Sequence, residues 1–442
     1  MRRVLIAGTS SRSGKTTVTC ALLACLRKRG LTVSAYKAGP DYIDREYLSM
    51  AGNCQAYNLD TWLMSESRTL QLFGTTSRGK DIALIEGAMG LYDGGENSTA
   101  EIARLTGSPV VLVINARSMG ESAAALALGF REYDRDINLA GVILNFTGSE
   151  YHEEIISSAL TEKGIKFLGA LRRDDGMKIP ERHLGLIQAG ENCGYDFGTL
   201  AGKFESSVDV DGILEAAENV REIRPCGEFV PSAKYNVRVG AACGEAFTFM
   251  YPESLKTLET LGAEVVAFSP LNDERLPEAD GYIFCGGYPE IFAEGLAGNI
   301  PMIESVRQCR KPMFAECGGM MYLCRTLCDN DGHKFDMAGV IPGDSFMTGR
   351  AVMGYMSGWA MRDNILCREG DIVRGHEYHY SRIEPETFGE SCAFEMTRRN
   401  RSGSHPGGFA RGNILASYLH INFYGNEHLA ENFLQSLTSS RD

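Results

Sequence analysis

Val4-Leu5-Ile6-Ala7-Gly8-Thr9-Ser10-Ser11-Arg12-Ser13-Gly14-Lys15-Thr16-Thr17 joins a short, uninterrupted apolar run to a turn of small residues and then to a helical pattern. A strand that is apolar at consecutive positions is buried on both faces, the condition of a strand inside a parallel sheet. The turn after it carries glycines, which let backbone approach a ligand closely, and it opens a helix whose first amides face an anion. Lys15 adds positive charge, and Thr16 a hydroxyl suited to a divalent cation. Phosphate loops usually have four residues between the two glycines; here five separate Gly8 from Gly14. The strict spacing is missed by one while each physical requirement is kept. Gly8, Ser13, Gly14, Lys15, Thr16 and Thr17 are therefore candidate nucleotide contacts, the alternative being a plain Gly/Ser-rich turn before a helix.

Outward from this stretch the pattern repeats. Residues 33–36, 82–85, 110–114 and 142–144 are further continuous apolar runs separated by helix-length amphipathic segments, which predicts an α/β fold with a mostly parallel sheet. The pattern loosens over 190–234, where Gly, Glu, Pro and Ser accumulate, although 210–222 still reads as a helix. A second α/β series begins with apolar runs at 237–242, 264–268, 282–285 and 313–315, with helices at 251–261 and 302–308 and later strands at 375–382 and 414–418. The expected organisation is a nucleotide-binding domain over 1–190, a linker region over 191–234 and a second α/β domain over 235–442. A chain of 442 residues that is 44% hydrophobic can fill two cores of this size.

Composition excludes other classes. A net charge of −13 argues against a nucleic-acid partner, which needs a concentrated basic face. No run approaches the roughly 20 apolar residues of a membrane span, and Met1-Arg2-Arg3 leads directly into the first strand, so a cytoplasmic location is expected. The thirteen cysteines are odd in number and thinly spread. They form no disulfide framework in this reading, and Cys317, Cys324 and Cys328 lack a CxxC partner for a metal.

Polar residues cluster where the predicted strands end. Lys37 closes the second run in Ala35-Tyr36-Lys37-Ala38-Gly39-Pro40, and Asp41, Tyr42, Asp44 and Glu86 stand just beyond strand ends, where open parallel sheets bind ligands. Carboxylates beside a triphosphate repel it unless a cation lies between, so Mg²⁺ held by Thr16, Asp44 and Glu86 is the expected arrangement. Asp41, Tyr42 and Asp93 are candidate substrate contacts; one of the carboxylates could instead simply cap a turn. Asn145 ends the 141–144 run as either a nucleotide contact or a strand cap.

The second domain carries a thiol signal. In Phe314-Ala315-Glu316-Cys317-Gly318-Gly319 a cysteine stands between an apolar run and two glycines, the setting of a nucleophile on a sharp strand-to-helix turn. Its chemistry needs a base and amides that stabilise an oxyanion. His420, at the end of a late strand, is the candidate base; Gly286, Gly287 and Gly318 are the candidate oxyanion and glutamine contacts. Taken singly, a buried cysteine or a lone histidine is more often structural.

Known families share these arrangements. The five-residue spacing and Lys37 resemble the dethiobiotin synthetase loop and its relatives, which activate carboxylates by phosphorylation; that resemblance implies that Lys37 supports the transferring phosphoryl group and that Asn145 reads adenine. The order of oxyanion loop, Cys-Gly-Gly and late histidine resembles class I glutamine amidotransferases, which implies a glutamyl thioester on Cys317 and release of ammonia. Many of those enzymes carry a carboxylate two residues after the histidine, whereas this chain has His420-Ile421-Asn422, so a Cys–His pair is expected.

Jointly the chain is similar to the cobyrinic acid a,c-diamide synthase family, through Gly39-Pro40-Asp41-Tyr42-Ile43-Asp44, Glu86-Gly87-Ala88-Met89-Gly90-Leu91-Tyr92-Asp93-Gly94, Ile179-Pro180-Glu181-Arg182 and Arg374-Gly375-His376-Glu377-Tyr378-His379-Tyr380-Ser381. This resemblance implies an ATP- and Mg²⁺-dependent ligase that amidates two acetate carboxylates of a tetrapyrrole through acyl phosphates. It further implies glutamine as nitrogen donor, a protected ammonia route, and Arg182 as a contact for a polycarboxylate; a homodimer is an allowed assembly. After Asp44 the chain runs Arg45-Glu46-Tyr47-Leu48 where the family commonly has Pro-x-x-His, which leaves sirohydrochlorin-type acceptors and the cobyric acid synthase reaction open. From another class, a partitioning-type ATPase explains the phosphate loop and leaves Cys317 and His420 without a role.

Overall fold

The computed structural model describes residues 1–174, 179, 195–218, 220, 223 and 234–439, together with the backbone at 181–182 and 185–186. Two compact units result: 1–61 with 65–229, and 62–64 with 230–442.

In the first unit, strands β1 (Arg2–Gly8), β2 (Val33–Ala38), β3 (Ala56–Leu59), β4 (Ile82–Glu86), β5 (Val110–Asn115), β6 (Leu139–Thr147) and β7 (Phe167–Arg172) alternate with helices α1 (Lys15–Lys28), α2 (Ile43–Gly52), α3 (Thr61–Thr76), α4 (Thr99–Thr106), α5 (Ser122–Tyr133) and α6 (Glu150–Glu162). The sheet order is β3-β2-β4-β1-β5-β6-β7, with every pairing parallel. Chain order reverses around β1, so ligand-binding loops gather at the carboxyl ends of β1, β2 and β4. Each continuous apolar run is buried as expected: Val4, Leu5, Ile6 and Ala7 are inaccessible to solvent, as are Ile82 through Ile85. Two strands escaped the sequence reading. β3 is only four residues long and contains Asn58; β7 is interrupted by Gly169.

Within the segment expected as a linker region over 191–234, the described residues include two helices. After a two-residue pair, β8 (Glu181–Arg182) with β9 (Gly185–Leu186), come helices α7 (Phe197–Ser207) and α8 (Val210–Glu218). Leu200, Phe204, Val210 and Ile213 join the same apolar core as Leu22, Cys25 and Leu26 of α1. α1 is consequently apolar on more of its circumference than a surface helix would be, because α7 covers its outer side.

The second unit contains β10 (Val237–Ala242), α9 (Pro252–Thr260), β11 (Ala263–Phe268), β12 (Gly281–Phe284), α10 (Ala293–Gly298), α11 (Ile300–Gln308), β13 (Met313–Glu316), α12 (Gly318–Leu323), β14 (Thr326–Cys328), β15 (Lys334–Asp336), β16 (Asp344–Ala360), β17 (Ile372–Glu384), β18 (Cys392–Arg398), β19 (Ser404–Arg411), β20 (Ile414–Ser417), β21 (His420–Ile421) and α13 (Glu427–Ser439). Strands β11-β10-β12-β13-β20 are parallel, and an antiparallel extension through β19, β18 and β16 continues from β20. Neighbouring side chains of β12 point to opposite faces: Ile283 falls in one apolar cluster and Phe284 in another. Both faces of the sheet are thus covered, which is why its parallel strands read as continuous apolar runs. The strand expected at 375–382 is the middle of β17, paired over much of its length with β16. β16 carries no strand signal because residues 347–355 are all exposed or half-buried, with no two-residue alternation.

Candidate functional site

Strand register builds the site of the first unit. Pairing of β2 with β4 sets Lys37 opposite Glu86, and pairing of β1 with β4 sets Ile6 opposite Glu86, two residues before Gly8. Lys37 Nζ donates to Asp44 Oδ2 at 2.6 Å, to Glu86 Oε1 at 2.8 Å and to the Gly87 carbonyl at 3.3 Å. Thr16 Oγ1 donates to the same Glu86 oxygen at 2.7 Å. Thr16, Lys37, Asp44 and Glu86, named from separate motifs, therefore form one connected group.

Burial governs its electrostatics. It pushes the Glu86 carboxyl up to about 7, against the pull of Lys37. Burial works against the Lys37 ammonium, but Asp44, Glu86 and Asp41 outweigh it and raise its pKa, so the lysine stays charged. Lys15 is held down to about 8 by burial and by Lys37, and its Nζ donates to the Ser10 carbonyl at 3.0 Å. Gly14 caps α1 in a left-handed conformation with φ 88°, which a residue with Cβ adopts only with strain. Ser13 is wholly buried within the loop, and Thr17 follows in the first turn of α1.

The other carboxylates separate by role. Asp41 Oδ1 accepts the Asp44 amide at the start of α2, and Asp93 Oδ2 accepts the Gly90 amide within its own loop. Asn145 spends its side chain on structure: Nδ2 donates to the Ser13 carbonyl at 3.0 Å and Oδ1 accepts the Phe146 amide. Tyr42 is buried, and the Arg182 side chain lies outside the described residues. Arg45 and Leu48, which stand where the family pattern has Pro and His, are both buried, Leu48 within the apolar core. Glu86 Oε2 is buried with no hydrogen-bond partner among the described residues, an oxygen left over for a cation. With the Thr16 hydroxyl and Asp44, that oxygen makes a hard-oxygen donor set that fits Mg²⁺.

In the second unit the carboxyl ends of β12, β13 and β20 converge. Cys317, between β13 and α12, has φ 46° and ψ −105°, the strained turn that a nucleophile elbow demands. Register pairs Glu316 with Ser417, and the Cys317 amide donates to the Ser417 carbonyl at 2.8 Å. Three residues on, His420 opens β21, paired with His376 of β17. A Cβ on Gly286 would stand 2.6 Å from His420 Cε1, and one on Gly318 would stand 3.0 Å from the Gly287 amide nitrogen. The oxyanion-loop glycines, the histidine and the residue after the cysteine are thus brought to one place.

Several groups there escaped sequence reasoning. Glu316 Oε1 accepts the Ile421 amide at 2.7 Å, and burial pushes its carboxyl up to about 8. Asn422, at the position where many relatives of the amidotransferase class have a carboxylate, donates to Glu253 Oε1 at 2.8 Å. The Tyr378 carbonyl lies 3.8 Å from Cys317 Sγ, and His379 stacks on Tyr418 with ring centroids 3.7 Å apart. The motif His376-Glu377-Tyr378-His379 was visible in sequence, but its alternation of buried polar groups gave no chemical role. Burial raises the Cys317 pKa, reinforced by Glu290, Glu377 and Glu316, while burial lowers His420 to about 3. At rest both groups are neutral: burial keeps the thiol protonated and the imidazole without its second proton.

A phosphate-loop sheet joined in one chain to a cysteine elbow of amidotransferase type defines a glutamine-dependent amide ligase. Residues 4–187 match the CobQ/CobB/MinD/ParA nucleotide binding domain, and residues 238–428 match the CobB/CobQ-like glutamine amidotransferase domain. The second match leaves a partitioning-type ATPase without an account of half the chain. Similar curated proteins include the cobyrinate a,c-diamide synthases of Dehalococcoides mccartyi strain CBDB1 (42% identical, covering 98% of this chain and 97% of the relative) and of Thermoplasma volcanium (38%, covering 98% and 96%). That of Caldanaerobacter subterraneus is 37% identical and covers 99% of each chain. The chain belongs to the cobyrinate a,c-diamide synthase family. Among the described residues no helix is long and apolar enough to cross a membrane.

Proposed function

We propose that this enzyme amidates the a and c acetate carboxylates of cobyrinic acid, one after the other, each through an acyl phosphate. A carboxylate is a poor electrophile; attack of its oxygen on the γ-phosphorus of ATP forms the acyl phosphate and releases ADP. Gly8, Ser13, Gly14, Lys15, Thr16 and Thr17 cradle the phosphates with Asn145 bracing the loop, and Lys37 offsets charge on the phosphoryl group in flight. Thr16, Asp44 and Glu86 would hold Mg²⁺, which when bound neutralises phosphate charge. Asp41, Tyr42, Asp93 and Arg182 stand as acceptor contacts.

Glutamine is opened at Cys317. His420 takes the thiol proton, the thiolate attacks the side-chain amide carbon, and amides of Gly286, Gly287 and Gly318 stabilise the oxyanion. The imidazolium returns the proton to the leaving ammonia, water hydrolyses the thioester to glutamate, and ammonia displaces phosphate from the acyl phosphate. The eleven cysteines among the described residues are all free, which favours a reducing, cytoplasmic setting.

The observation that carries this reading is the Thr16–Glu86–Lys37–Asp44 group in a chain whose second unit presents Cys317 at φ 46°. Mass spectrometry of cobyrinic acid incubated with enzyme, ATP and Mg²⁺ tests it. Glutamine should yield singly and then doubly amidated product; Cys317→Ala should do so only with ammonia, and Lys15→Ala with neither donor. Amidation of sirohydrochlorin and none of cobyrinic acid would overturn the acceptor while keeping the mechanism.

A further inference from the structure

Three buried carboxylates act on the Cys317 thiol and oppose its ionisation: Glu290, Glu377 and Glu316. Two have an evident counterpart. Glu316 accepts the Ile421 amide, and Glu377 has the Arg398 guanidinium acting on it, with the His379 imidazole, kept neutral by burial, 4.0 Å away. Glu290 has neither. It is 9% exposed, and among the described residues its carboxylate meets no cation and no hydrogen-bond donor except its own backbone amide. Burying a carboxylate without a partner is costly, so an isolated one beside a reaction centre calls for a cation that arrives later.

Its placement is fixed by the loop after β12. Tyr288 donates its amide to the Ala246 carbonyl, Ile291 to Tyr288 and Phe292 to Pro289, closing two successive turns around Glu290. Pro289 Cδ lies 2.8 Å from where a Cβ on Gly318 would stand, so this loop abuts the residue that follows the nucleophile. The charge of Glu290 is the strongest of the three in its effect on the thiol. Glutamine brings one cationic group, the α-ammonium, a few bonds from the amide that Cys317 attacks.

We infer that Glu290 binds the α-ammonium of glutamine and so selects the nitrogen donor. The assignment rests on the reading that Cys317 opens glutamine. It carries a second effect: an ammonium paired with Glu290 cancels the negative charge that opposes thiolate formation, so the thiol is activated when the correct donor is in place. Burial holds the empty carboxyl up to about 7, which suits a group that becomes fully ionised only against a cation.

The test compares L-glutamine with glutaramate, the same amide without the amino group, as substrates of the full-length enzyme. Wild type should prefer glutamine by about 30-fold or more in kcat/KM, the scale of losing one partner of a buried charge pair. Glu290→Gln should shrink that preference to a few-fold by raising KM for glutamine, and Glu290→Asp should fall between. In the same Gln variant, iodoacetamide should alkylate Cys317, followed by peptide mass spectrometry, several-fold faster at fixed pH. Equal use of both amides by wild type overturns the assignment without any variant, as does an undiminished preference in Glu290→Gln or Glu290→Asp matching Glu290→Gln. A wild type that hydrolyses neither amide refutes instead the role of Cys317.

Discussion

Replacing Glu316 by Gln should change how the second unit's stability depends on pH. Glu316 ends β13, is 3% exposed, and holds β21 by accepting the Ile421 amide at 2.7 Å. Gln keeps a carbonyl oxygen for that bond and removes only the titration. In the folded protein burial raises the carboxyl to about 8, against 4.5 as the ordinary value. Between those two pH values the unfolded chain has released its proton and the folded chain has kept it. Stability from this group is therefore complete below pH 4.5 and is lost as pH rises through about 8. At roughly 1.4 kcal/mol per pH unit, the loss between pH 5 and 7.5 is about 3 kcal/mol. The variant does not titrate, so its stability relative to wild type should rise by that amount over the same interval, whatever offset separates the two proteins at pH 5. Trp359, on β16, falls in the second unit, so guanidinium unfolding followed by its fluorescence in a Trp62→Phe background reports that unit apart from the first. A wild type and variant whose stabilities differ by the same amount at pH 5 and pH 7.5, within about 0.5 kcal/mol, would show that Glu316 is ionised in the fold and that the burial argument is wrong.

Thr16→Ala and Glu86→Gln should each raise the Mg²⁺ concentration needed for half-maximal synthesis by about tenfold or more, the scale of one ligand to a hard cation; Mg²⁺ titrations superimposing on wild type would remove both from the metal set. Gly286→Ala drives a methyl toward His420 Cε1 and Phe249 Cβ, and displacing the imidazole should lower glutaminase kcat about 100-fold; steady-state glutamate release measures it. Leu48→His puts an imidazole into the first unit's core, where Leu48 is inaccessible to solvent, and should cost about 2–4 kcal/mol without altering the choice between cobyrinic acid and sirohydrochlorin; a changed acceptor ratio in competition assays would return that position to the acceptor site.

Much of this arrangement was legible because it follows from short-range rules. A buried parallel strand must be apolar at successive positions, and a phosphate loop needs glycine at its left-handed cap, so 4–17 announces both strand and site. Cys317 was found the same way, from the glycines that its turn requires. What failed to show is what register and burial decide. β3 is four residues with an asparagine, too short to carry a period, yet Asn58 donates to the carbonyls of Gly39 and Asp41 and so shapes the loop that presents Asp44. The helix at 210–222 was legible, but α7 was not, and the apolar faces of α7 and α8 acquire meaning only in the core they share with α1.

The carboxylates make the same point more sharply. Asp41, Asp44, Glu86 and Asp93 looked alike as acidic residues after strands, and sequence could not divide them. One register, Lys37 opposite Glu86, fixes a buried ammonium whose reach takes in Asp44, while Asp41 and Asp93 each accept an amide of their own loop. Around Cys317 the logic runs the other way. Glu316, Glu377 and Glu290 are scattered over 88 positions, from Glu290 to Glu377 counted inclusively, and converge only through the pairing of β12, β13 and β20 and of β17 with β21. A glutaminase that surrounds its thiol with carboxylates raises the barrier to forming a thiolate in the empty site. On the assignment of Glu290 to the donor's α-ammonium, that barrier falls when glutamine is in place, so the empty site keeps a protonated thiol that is slow to react with oxidants and stray electrophiles.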